Sequence, residues 1–76
     1  MIYGEKESSY GSTLVKVKNE YGMILYSECF GGPSEQVQVI GSGNSVTILA
    51  DCPGNCIRKM ITQTGLNDVR VEPIAG

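Results

Sequence analysis

The run Thr13-Leu14-Val15-Lys16-Val17-Lys18 alternates with a period of two, and this restricts the fold more than any other segment. Val15 and Val17 fall on one face of an extended strand and the lysines on the other, so the chain must build a sheet and bury one of its sides. Asn19-Glu20-Tyr21-Gly22 reads as a turn, with Gly22 free to take positive φ, and Met23 to Cys29 reads as the return strand. Gly31-Gly32-Pro33-Ser34 interrupts the chain. Beyond it, Val37 to Ile40 and Val46 to Ala50 flank a Gly41-Ser42-Gly43-Asn44-Ser45 cluster, the pattern of a second hairpin. Residues 1–12 suit an edge strand or a loose arm.

The spacing of Cys56, Ile57, Met60, Ile61 and Thr64 predicts a helix over 53–64, with Arg58, Lys59, Thr62 and Gln63 on its polar side. Pro53 fits a first helical position, Gly65 a left-handed end, and Leu66 a fold-back onto Ile61. Val69 to Glu72 then closes the chain as a strand, stopped by Pro73. Strand, helix and strand over 46–72 permit a right-handed crossover, with the last strand parallel to that of Val46 to Ala50. The expected fold is therefore α+β: a small, mostly antiparallel sheet of four or five strands with one helix packed on one face. At 76 residues, 1–76 forms a single domain, because half that length cannot offset its conformational entropy.

Composition removes several classes of function. The net charge is −2 and the six basic residues are scattered, which argues against duplex nucleic acid as a partner. Apolar runs fall far short of the ~20 residues of a membrane-spanning helix. Met1 to Glu7 lacks a cationic start and an apolar centre, so a cytoplasmic protein is expected. Three cysteines and no histidine speak against a disulfide framework and a zinc site, and no cofactor is expected. Without histidine the ordinary Ser-His and Cys-His nucleophilic sites are absent, and no two of the eight carboxylates form a recognisable acid/base pair.

Chemistry, if present, would lie at Asp51-Cys52-Pro53-Gly54-Asn55-Cys56. A thiol at a helix start is activated by the helix dipole and by unpaired backbone N–H groups. Cys52 could then serve a sulfur carrier, or a redox protein in partnership with Cys56; the same backbone could hold a small anion or a nucleotide. Against this, Cys56 lies on the apolar stripe and Cys29 beside Phe30, where both read as core. Gly41-Ser42-Gly43 is not followed by the helix a phosphate loop needs. The three Tyr-Gly steps read as turn chemistry.

The sequence also carries apolar residues on strand positions that face away from the helix. Leu14, Ile24, Tyr26 and Leu49 form the expected interface, unless a strongly curled sheet buries both its faces. The function expected from this surplus is a non-enzymatic protein-interaction domain that pairs with itself as a homo-oligomer, with another protein, or with both, through this sheet face or an exposed strand edge. An inhibitor or adaptor, including one encoded by a virus or mobile element, fits that description.

Overall fold

The structure is a computed structural model, and it describes residues 1–52 and 55–74. Among these residues eight strands run in order: β1 (Ile2–Ser9), β2 (Ser12–Asn19), β3 (Ile24–Phe30), β4 (Val37–Ile40), β5 (Ser42–Gly43), β6 (Ser45–Cys52), β7 (Asn55–Gln63) and β8 (Val69–Pro73), with one 3-10 turn at Ser34–Gln36. They form two antiparallel sheets in the orders β3-β2-β1-β5 and β4-β6-β7-β8, packed face to face. The α+β expectation is overturned: among the described residues the fold is nearly all β, with no helix packed on a sheet.

The alternating segments behave as strands for the reason the sequence implies. In β2 the residues Thr13, Val15, Val17 and Asn19 are buried, and those between them lie half-exposed on the outer face. Across from them, Lys16 pairs with Glu7 at 2.8 Å and Lys18 with Glu5 at 3.1 Å. These diagonal pairs reinforce the register that puts the valines inside. Ile2, Val15, Val17 and Phe30 of the first sheet meet Val37, Val46, Ile48, Ala50 and Ile61 of the second. Each of these burials apart from that of Ala50 is worth about 1.5–3 kcal/mol.

The helix expected over 53–64 is instead strand β7, and its residues 53 and 54 lie outside the described residues. Ile57 and Ile61 face inward, as the helical reading also required, but so does Lys59, while Cys56, Arg58 and Met60 face outward. Lys59 is accommodated inside because it pairs with Glu28 of the opposite sheet. A charge at an inward position hides the period of two and leaves Ile57, Met60 and Ile61 at helical spacing. The last strand pairs antiparallel with β7, so no parallel crossover exists. Gly65 is not at positive φ and Leu66 is 61% exposed, so neither serves as a helix end. Cys29 and Cys56 are exposed on the outer faces, not core residues. Among the described residues, no helix is long and apolar enough to cross a membrane.

Two connections fix the geometry. Tyr10 (φ 49°) and Gly11 (φ 80°) close the β1–β2 hairpin, both at the positive φ that a type I′ turn demands. Tyr10 is fully exposed and makes a poor occupant of that conformation. Tyr10→Asn is expected to raise stability by about 0.5–1 kcal/mol, read as an increase in thermal midpoint; an unchanged or lower midpoint would mean that Tyr10 makes contacts worth as much as its strain. At the second connection, Gly41 (φ 92°) and Gly43 (φ 104°) carry the chain from β4 in one sheet to β5 in the other and back to β6.

Candidate functional site

The turn between β2 and β3 is organised from inside by Asn19, which is 1% exposed. Its Oδ1 accepts from the backbone N–H of Tyr21 (2.9 Å) and of Met23 (3.0 Å), as asparagine does in an Asx turn. Its Nδ2 donates to Asn67 Oδ1 at 3.4 Å, which ties this turn to the β7–β8 loop of the other sheet. In that loop the N–H groups of Thr64 and Gly65 both donate to Asp68 O. Asn19 thus spends its polar atoms on holding two loops together, and the loops turn their apolar side chains outward. Tyr21 is 75% exposed, Met23 51%, Ile24 51% and Leu66 61%. Four large apolar residues therefore lie exposed on or beside the two loops that Asn19 joins, where solvation is unfavourable to them and a partner surface is favourable.

A second feature lies on the side bounded by β3 and β8. Lys59 Nζ and Tyr26 Oη both donate to Glu28 Oε1. Lys59 also reaches Tyr26 Oη at 3.3 Å and sits 5.9 Å from its ring centre. Burial pushes the Glu28 carboxyl up, but the hydrogen bonds from Lys59 and Tyr26 and the lysine charge together hold it below the usual carboxylate range. For Lys59 burial pushes down, and the bonds to Glu28 and Tyr26 outweigh it, so its pKa is raised. The trio is a closed ion pair between sheets, with Lys59 charged at neutral pH and in no position to act as a base. Beside it, Ile57, Val71, Pro73 and Ile74 line a groove of about 540 Å³.

The four residues expected to form one interface occupy separate surfaces. Ile24 lies in the exposed cluster. Leu14 is half-buried on the outer face of its sheet, opposite Glu7 and Cys29. Tyr26 faces inward against the core and Glu28. Leu49 is on the outer face of the other sheet, beside Glu35, Gln38 and Arg58 in a cavity of about 310 Å³. Sequence reasoning did not group Tyr21, Met23 and Leu66 with Ile24; an apolar residue within a polar turn is the signal that marks two of the three.

The backbone of Cys52 ends β6, and its side chain lies outside the described residues. Cys56, on the outer face of β7, donates through Sγ to Asp51 Oδ1 at 3.1 Å. With residues 55–63 in a strand, the helix dipole invoked for thiol activation and for an anion site at 51–56 is not there. Set against known proteins, the chain matches no family model, no curated protein and no solved structure.

Proposed function

We propose that the chain is a small non-enzymatic protein-interaction domain, an inhibitor or adaptor, that docks the end of its sandwich onto an apolar surface of another protein. The observation that carries this reading is the exposed cluster of Tyr21, Met23, Ile24 and Leu66. Tyrosine and methionine are enriched at interface cores, and their burial supplies the anchors on which binding energy concentrates. The loops that present them are pre-ordered by buried Asn19, which lowers the entropy lost on binding. A cytoplasmic setting belongs to the proposal, supported by the exposed free thiol of Cys29.

The test compares the native chain with a Tyr21→Ser, Met23→Ser, Leu66→Ser variant in affinity capture from the native host. Exposed side chains contribute little to folding, so the thermal midpoint should be nearly unchanged. Partner affinity should fall about tenfold or more for each anchor lost. A variant that retains the partner at native affinity would refute this site.

A further inference from the structure

The strand edges of this sandwich differ in how they are protected. Edge strands expose unpaired N–H and C=O groups, and proteins blunt them with proline, charge, shortness or cover. On β8, Pro73 has no N–H, the Ile74 N–H is turned inward to Arg58 O at 3.0 Å, and Arg70 pairs with Glu72 at 2.7 Å. On β1, Lys6 Nζ reaches across to the carbonyls of Ser34 (3.0 Å) and Val37 (2.8 Å). The β4 edge has only four residues and ends at the Gly41 corner.

β3 is seven residues long with neither proline nor lysine; its one charge, Glu28, is spent on Lys59 of the opposite sheet, and its bulge lies at its start, between the pairs Lys18–Ile24 and Val17–Tyr26, which leaves Tyr26 to Phe30 regular. The direction of its backbone groups follows from the hairpin. The two-residue turn makes Ser9 and Ser12 a hydrogen-bonded pair, so by alternation Thr13, Val15 and Val17 direct their N–H and C=O groups toward β3. The Asn19 N–H, which donates to Met23 O at 3.0 Å, keeps that phase. Phe30, Glu28 and Tyr26 are opposite these residues and point back to β2. Ser27 and Cys29 therefore present their backbone groups to the outside, beneath small, exposed side chains.

We propose that β3 pairs antiparallel with β3 of a second copy of this chain about a two-fold axis through Ser27, joining two four-stranded sheets into one of eight strands. In this register Ser27 meets its own equivalent in a hydrogen-bonding position, and Cys29 lies opposite Leu25, the residue at which β3 bulges. Tyr26 lies opposite Glu28, so each carboxylate faces a phenol. A register centred on Glu28 pairs Ser27 with Cys29 and also keeps the outward groups in phase, but it sets two carboxylates against each other. The two surfaces share Ile24, which heads β3, so the Ser27 variants test this pairing and the Tyr21→Ser, Met23→Ser, Leu66→Ser variant tests the loop cluster.

Light scattering and amide hydrogen exchange on the native chain, Ser27→Lys and Ser27→Pro decide the matter. The native chain is expected to show twice the chain mass, with slowed exchange at Ser27 and Cys29. Ser27→Lys places like charges at the axis, and Ser27→Pro removes an outward N–H that no internal bond uses. Both should halve the mass, and Ser27→Lys should free the Cys29 amide while keeping the native circular dichroism. Should Ser27→Pro fail to fold, Ser27→Lys and the native exchange rates decide alone. A native monomer with freely exchanging amides would overturn the proposal and leave the edge to a strand of another protein. A Ser27→Lys variant that stays dimeric would overturn it in favour of another contact.

Discussion

Replacing Gly4 with alanine is expected to destabilise the domain by about 2–3 kcal/mol, a large share of the stability of a chain this short. Gly4 sits on the inner face of β1, opposite Val17. An added methyl would lie well inside van der Waals contact of Val39 Cγ1 and 3.3 Å from Val46 Cγ1, both in the facing sheet. The branched valines fill the space between the sheets and have no long side chain to swing aside, so relief requires the sheets to part. Val39→Ala removes the nearer obstacle. The double variant should therefore be more stable than the sum of the single changes by about 1–2 kcal/mol in urea unfolding. A Gly4→Ala protein as stable as the native one would show that the sheets are not in close contact there.

The second large effect is expected at the inter-sheet ion pair. Lys59→Met should cost about 2 kcal/mol near neutral pH, because the half-buried Glu28 carboxylate loses its cation and keeps only Tyr26. The pH dependence carries the diagnosis. In the native chain the Glu28 pKa is lowered, so its contribution is present above the usual carboxylate range and is lost as pH falls through the lowered value. The Lys59 pKa is raised, so its contribution holds below the ordinary lysine value and disappears only as pH climbs through the raised one. In Lys59→Met, burial acts on Glu28 without the lysine, and its protonated form becomes the better tolerated. The stability difference between native and variant should shrink as pH is lowered from about 7 to about 4. A difference that stays constant over that range would mean that Lys59 acts through its aliphatic stem.

These two sites also explain what the sequence disclosed and what it hid. The β2–β3 hairpin was legible because Val15 and Val17 alternate cleanly with lysines that need solvent. The pairing of 37–40 with 46–50 was legible from the glycines between them, although β5 within that loop was not. Strand β7 was hidden because Lys59 stands at an inward position, and only its partner Glu28, 31 residues away in sequence, makes that position tolerable. The β-branched residues Ile57, Ile61 and Thr62 favour a strand, and Pro53-Gly54 is as strong a turn signal as a helix start. The loop cluster was hidden for a related reason. The loops that carry Tyr21 and Leu66 are brought together only when the two sheets stack and Asn19 meets Asn67, a contact that local patterning does not encode.

The corner at Gly41 to Gly43 has a consequence for how the molecule comes together. Apart from the two-residue β5, the first sheet is drawn wholly from residues 2–30 and the second wholly from residues 37–73. Each half is a run of adjacent antiparallel strands that can zip up locally, without a long chain closure. What makes the halves one cooperative unit is their docking: the shared core, the close approach at Gly4, and the pairing of Ile2 with Gly43 and Tyr3 with Ser42. The corner works as a stitch between two independently assembling leaves, and whether the protein unfolds in one step or two rests on that seam.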